Sequence, residues 1–382
     1  MGPAACAGLK SGSHTIRPAC GTITMSGPAL TDLERTERFL AADPDNPLLL
    51  AKAIDMALAS GALDKARRYA DAALKAVPDD PFMRNRHGNV LIAEGRLDEA
   101  AQVFSALLQR TADANVAHNL ALARARQGDH EQARVVLEPF VAAADAPVRA
   151  VTTYIRALHH LGHTEASLRS IELHFAHCGA DAEFLAVASL VCLDENRLGQ
   201  AAQFSAAALS QGARPLEALV AAGAVALSRQ DVPAAQGLFN EALAARADTG
   251  RAWAGLGMAR LLLGDGAGAR QQLERALAVM PEHADTLQAL GWAALMAGHL
   301  QDAESAFARA AAADAEASEA QGGLAVVCAM QGRRAEAEQH IARARQLDPQ
   351  DAAAQFAQAI LSGAMGDAQA MQALVRRRFT PR

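Results

Sequence analysis

Aromatic residues make up only 4% of this 382-residue chain, with two tryptophans and two tyrosines. Set against abundant alanine, so few aromatics argue against a β-sandwich and for close-packed short helices. Lysine is nearly missing: Lys10, Lys52, Lys65 and Lys75 all precede Asp79, and arginine carries the remaining positive charge. That usage points to a GC-rich, bacterial coding sequence. The five cysteines (Cys6, Cys20, Cys178, Cys192, Cys328) are odd in number and form no C-x-x-C. They fit no zinc module. Cys192 and Cys328 read as small buried hydrophobes within helices, and a reducing cytoplasm is the expected compartment.

Positive charge is scarce as well. The net charge is −6, and no basic stripe is available to displace counterions, so a nucleic-acid partner is not expected. No run of 18 apolar residues exists, so no membrane insertion is expected. The first 28 residues are rich in Gly, Ala, Ser and Pro and lack the apolar core of a signal peptide. Met1-Gly2-Pro3-Ala4-Ala5-Cys6 also lacks the Ser or Thr of a myristoylation signal. Residues 1–30 are expected either to be disordered or, with a true start at Met25, to contain an extension over 1–24.

Catalytic motifs are missing too: there is no G-x-S-x-G, P-loop, H-E-x-x-H or paired-carboxylate framework. An enzyme, a cofactor and a metal are therefore not expected. Gly264-Asp265-Gly266-Ala267-Gly268 has the look of a phosphate loop but follows a helix rather than a strand. Eight of the twelve histidines lie between His87 and His177. His159 and His163 are four apart, as zinc ligands on a helix are, but Gly162 should break the helix between them. Solvated histidines at a helix end are the expectation there, and His174 and His177 beside Cys178 are equally weak ligand candidates.

What the chain does have is a period. Three blocks of 34 residues start at Gly250, Ala284 and Ser318 and align without a gap. Each has a small residue eighth (Gly257, Gly291, Ala325) and Gly fifteenth (Gly264, Gly298, Gly332). Ala is twentieth (Ala269, Ala303, Ala337) and twenty-seventh (Ala276, Ala310, Ala344), with an apolar residue twenty-fourth (Leu273, Phe307, Ile341). Such a period predicts stacked two-helix units. The small residues let two antiparallel helices approach, and the Gly ends the first helix in a left-handed conformation. Pro281, at the thirty-second place, stops the second.

These residues, with Trp253-x-x-Leu256-Gly257-x-x-Arg260 leading the first block, resemble the tetratricopeptide repeat (TPR) family. The register continues through blocks 47–80, 81–113, 114–147, 148–181, 182–215 and 216–249, before 250–283, 284–317 and 318–351. Block 148–181 reads as one residue short between Gly162 and Ala166. Asn196 stands where Gly is usual, as the next-best left-handed residue, and Gln230 stands at the helix-ending place of block 216–249. Residues 31–42 form an amphipathic helix, capped by Thr31 or Asp32, that acts as an N-cap of the array. Residues 352–375 form a C-terminal capping element with short, more polar helices, and 376–382 a basic tail. The resemblance implies an all-α, right-handed α-solenoid over residues 31–375. It would contain about nine stacked helix pairs, with the first helix of each pair (helix A) lining a concave groove.

In this family the second, fifth, ninth and twelfth places of helix A point into the groove. They include Asn85, Asn89, Asn115, His118, Arg149, Arg156 and His159 early in the chain. Later they include Val220, Leu227, Met258, Leu261, Trp292, Leu295 and Val326. A groove polar at one end and apolar at the other is expected, with Trp292, Met258, Leu261 and Leu295 as apolar anchors. Alternatively, Trp292 is covered by the solenoid closing on itself or by the C-terminal segment. Asn85, Asn89, Asn119, Arg149 and Arg156 would orient polar groups. Some relatives grip a partner's C-terminal carboxylate with a clamp. Asn89, Asn119 and Arg149 match three of its five places, while Asn85 and Thr153 replace a Lys and the Arg, so charge-assisted grip is largely lost. The function expected is a non-catalytic scaffold for a protein or peptide ligand. The alternative is an accessory module of a bacterial envelope, polysaccharide or pilus assembly system.

Overall fold

A computed structural model describes residues 31–363 and 373–374. It divides the chain into two compact units, Met1–Glu94 and Gly95–Arg382. The division falls inside the block 81–113. All regular structure among the described residues is helical.

The first unit contains α1 (Asp32–Ala42), α2 (Pro47–Ala59), α3 (Leu63–Ala76) and α4 (Pro81–Ala93). Thr31 caps α1 in a reciprocal capping box with Glu34. Asn46 and Asp80 cap α2 and α4, each followed by a proline at the first helical position, where its missing N–H costs nothing. Leu40, Ile54, Ala66, Ala70 and Ala73 meet in its core. Glu37 of α1 accepts from Tyr69 (2.6 Å) and Lys65 (2.9 Å) of α3.

The second unit alternates A and B helices. The A helices are α6 (Ala114–Arg126), α8 (Val148–His160), α10 (Ala182–Asp194), α12 (Leu216–Ser228), α14 (Gly250–Leu262), α16 (Ala284–Met296), α18 (Ser318–Met330) and α20 (Ala352–Leu361). The B helices are α5 (Leu97–Thr111), α7 (His130–Leu137), α9 (Thr164–Cys178), α11 (Leu198–Ser210), α13 (Val232–Ala245), α15 (Gly266–Val279), α17 (Leu300–Ala313) and α19 (Arg334–Leu347). Successive A helices start 34 residues apart from α6 to α20.

Each A–B turn reverses the chain through one left-handed residue. At Gly162, φ is +71°, and the His163 N–H reaches back to the Leu158 carbonyl, 2.9 Å away, closing the wide loop that ends a helix at such a residue. Asn196 (φ +54°) and Gln230 (φ +59°) make the same turn without glycine. Asp265 caps α15 by accepting from the Gly268 N–H at 2.8 Å, so the Gly264–Gly268 run is an A–B turn.

Alanines at the twentieth and twenty-seventh places are fully buried throughout, from Ala201 and Ala208 to Ala337 and Ala344. The large residue at the twenty-fourth place packs into glycine on two A helices. A Cβ on Gly223 of α12 would lie 2.6 Å from the Phe239 ring, and one on Gly255 of α14 would lie 2.3 Å from it. Phe307 is held in the same way between Gly291 of α16 and Gly323 of α18. Cys178, Cys192 and Cys328 are buried thiols.

Two expectations are corrected. Block 148–181 is not short: Ser167 takes the twentieth place and is fully buried, as alanine is elsewhere. Its twenty-seventh place is the buried His174, whose ring nitrogens reach the carbonyls of Ser170 (2.7 Å) and Val141 (3.1 Å). The reason lies one repeat earlier, where Pro139 falls in a 3-10 turn, Glu138–Phe140, that ends α7 after only 8 residues. Past the end of α7, the Val141 carbonyl lies within hydrogen-bond reach of the larger His174 side chain.

The second correction concerns α20, which is not polar. It buries Ala353, Ala354 and Ala357 and packs Phe356, Ile360 and Leu361 against the same core as α16 and α18. Beyond α20, Ser362, Gly363, Ala373 and Leu374 of the expected cap are described, and the rest of it lies outside the described residues, as do residues 1–30 and the basic tail.

Candidate partner-binding face

In the first unit, Asn85 and Asn89 lie half-buried on α4. Arg86 stacks over the Phe82 ring at 4.0 Å and pairs with Asp55 of α2 at 2.8 Å.

In the second unit, the A-helix face begins on α6 and α8. Asn119 is half-buried, and Arg149, in the first turn of α8, is exposed. His118 of α6 lies 3.2 Å from the Thr153 hydroxyl of α8. Burial, reinforced by the cations Arg149 and Arg156, lowers its pKa to about 4, so it is a neutral ring at pH 7. Thr153 is itself buried against His118 and offers no cation where the clamp has Arg.

Further along, charged side chains pair across the face. Arg156 of α8 donates to Glu217 of α12 at 2.8 Å and approaches Glu183 of α10 at 3.5 Å. Asp194, the last residue of α10, accepts from Arg251 of α14 on both oxygens (2.7 and 2.8 Å). His159 Nε2 of α8 lies 2.7 Å from the same carboxylate. Burial opposes ionisation of Asp194, but the hydrogen bonds from His159 and Arg251 overcome it and hold the carboxyl well below its usual range. His159 therefore faces Asp194 and not His163, while His160 stacks on His130 with ring centroids 4.2 Å apart. Among the described residues, no group of three or more His, Cys, Asp or Glu side chains is placed to hold a metal ion.

The expected apolar anchors are corrected here. Leu261, Trp292 and Leu295 are 1%, 4% and 3% exposed and belong to one core cluster with Phe307 and Val326. Val220, Leu227 and Val326 are buried as well. Neighbouring A helices pack side by side, so their ninth and twelfth places fall between helices. Met258 is half-buried. What this half of the face carries at the second places is Glu183, Glu217, Arg251, Asp285 and Glu319, none of them buried. The polar-to-apolar gradient is thus replaced by a charged row over a sealed apolar seam.

Sequence reading missed Asp194, Glu183, Glu217 and Arg251. The row of charged second places was a visible signal. The pairing of Asp194 with Arg251 was not, since 57 residues separate them.

These features define a helical-repeat protein of the α-solenoid class. The tetratricopeptide repeat model matches residues 33–81, 52–117, 220–284 and 289–352, more than half of the chain. The chain belongs to the tetratricopeptide repeat family.

No curated protein sequence matches it. The crystal structure of the APC/C hetero-tetramer Cut9–Hcn1 superposes with a TM-score of 0.60 at 13% identity, over 79% of this chain and 60% of that one. This chain thus spans less than two-thirds of that relative. Pseudomonas aeruginosa pilF matches with a TM-score of 0.44 at 16% identity, over 56% of this chain and 96% of its own. YrrB, described as a TPR protein with an unusual peptide-binding site, matches with 0.37 at 24% identity, over 51% and 98%. At these identities the likeness is one of fold alone. Among the described residues, no helix is long and apolar enough to cross a membrane.

Proposed function

We propose that this protein is a non-catalytic scaffold that holds a protein or peptide partner on its A-helix face. Tetratricopeptide folds serve as protein-interaction scaffolds, and the sealed apolar seam moves the contact region away from Trp292 towards α6 and α8. The observation that carries this reading is the contrast between arginines. Arg156 and Arg251 are neutralised by Glu217 and Asp194, whereas Arg149 is exposed with no carboxylate in ion-pair range among the described residues.

On the neighbouring helix α6, Asn115 and Asn119 carry side-chain amides, and His118 is kept neutral. That set suits a partner presenting a carboxylate, held by Arg149 as a charge-assisted hydrogen bond. Met258 remains a contact of the same proposal within the second unit, and Asn85 and Asn89 stand as a separate contact proposal for the first unit. Leu261, Trp292 and Leu295 drop out of it.

Affinity capture with wild type, Arg149→Ala and Asn119→Ala tests the assignment. Loss of a partner from Arg149→Ala, with thermal stability unchanged, supports it. Unaltered capture of every partner by both variants refutes it.

A further inference from the structure

Most ion pairs that cross between repeats in the second unit join neighbours. Arg270 of α15 meets Asp302 of α17 at 2.9 Å, Arg333 meets Glu304 at 2.7 Å, and Arg214 meets Glu241. Two pairs on the A-helix face do something else. Arg156 of α8 passes α10 to reach Glu217 of α12, and Arg251 of α14 passes α12 to reach Asp194 of α10. Each bridge skips one A helix. Both run to the second place of the A helix two repeats on, from the ninth place of α8 at Arg156 and from the thirteenth of α10 at Asp194.

The geometry points to a pair of electrostatic clasps, Arg156–Glu217 and Arg251–Asp194, that limit how far the A-helix face of the second unit opens and so fix the width it offers. The reasoning is mechanical. A solenoid bends by small rotations between successive hairpins. A contact between neighbours is nearly indifferent to such bending, whereas a contact that skips a helix feels two junctions at once.

The chemistry suits the task. The clasp side chains are about one-third exposed or less, with Arg156 at 32% and Glu217 at 22%, so they are screened less than surface pairs. Arg251 grips both oxygens of Asp194, which fixes direction as well as distance. His159 of α8 also meets Oδ2 of Asp194, so the carboxylate is held from α8 as well as from α14. This inference stands whether or not the α6–α8 site proves to be the partner site.

Small-angle X-ray scattering on the full chain tests it, at low and high ionic strength, with helical content followed by circular dichroism. The double variant Asp194→Asn/Glu217→Gln is expected to have a larger radius of gyration than wild type at unchanged helical content. Arg156→Gln/Arg251→Gln, which removes the same bridges from the other side, should expand alike. Wild type should move towards both as salt screens the clasps. Arg214→Gln, which breaks only a bond between neighbours, should stay with wild type. Expansion of one double variant alone would assign the effect to the charge left behind, and the clasp idea fails. It fails equally if Arg214→Gln expands as much, or if wild type keeps one radius at every salt concentration.

Discussion

Trp292 meets Phe307 edge-on, with ring centroids 5.3 Å apart and ring planes 77° apart. The tryptophan is thereby part of the wall that α16 shares with α17 rather than a side chain awaiting a ligand. Trp292→Ala is expected to cost about 3–5 kcal/mol in urea unfolding, the range for a buried aromatic removed from a core. Partner capture, compared at a temperature where the variant is still folded, should match wild type. Selective loss of capture without loss of stability would return Trp292 to the binding face.

Gly255 and Gly323 each lie against a phenylalanine ring, and a Cβ added at each would come within 2.3 and 2.5 Å of it. Real Cβ atoms do not approach rings so closely, and backbone on both sides of each phenylalanine prevents simple relief. Gly255→Ala and Gly323→Ala are each expected to destabilise by about 1–3 kcal/mol, although alanine favours helix. Thermal unfolding of both variants checks the sign; a gain in stability would mean that the rings move freely.

Gln230 turns the chain at φ +59°, where every fully glycine-built A–B turn has glycine. A side chain there costs about 1 kcal/mol relative to glycine. Gln230→Gly should raise stability by roughly that amount, and Asn196→Gly by less, because asparagine tolerates the left-handed region. Chemical denaturation of the two variants side by side makes the comparison.

The carboxyl of Asp194 is held below its ordinary value of 3.8, the opposing effect of burial being outweighed by His159 and Arg251. A depressed carboxylate pKa contributes stability that is complete above the unfolded value and lost as pH falls through the folded one. Asp194→Asn should therefore be less stable than wild type by on the order of 1–2 kcal/mol at neutral pH. The gap should stay flat down to the usual carboxylate range and close only in stronger acid. A gap that closes on raising the pH would contradict the assignment.

The helix pairs were legible in the sequence because their packing demands are local. Gly162, Ala269 and Ala303 are small for reasons that one hairpin and its neighbour already contain, and a fixed period repeats those reasons in register. Ser167 and His174 were harder to read. They stand in register at places where alanine is usual, and a reading that looked for alanine found a gap instead. Gly255 and Gly323 look like ordinary weak points in a helix until a ring is laid over them.

The face itself was less legible for a different reason. Which residues meet across it depends on rotations accumulated over two hairpins, and no spacing in the sequence records that sum. Hence Asp194 and Arg251 were missed. Leu261, Trp292 and Leu295, assigned to the groove from their places in helix A, proved to lie between helices.

The shortened α7 and the histidine that fills its gap bear on how this array can be edited. Pro139 and His174 form a matched set shared by two consecutive modules, like a key cut for one lock. From block 182–215 onward alanine fills both buried places, so no such match of histidine to carbonyl crosses those junctions. A splice between these two would strand a histidine against a full-length helix, or leave a carbonyl bare, so the array has a joint that recombination must respect.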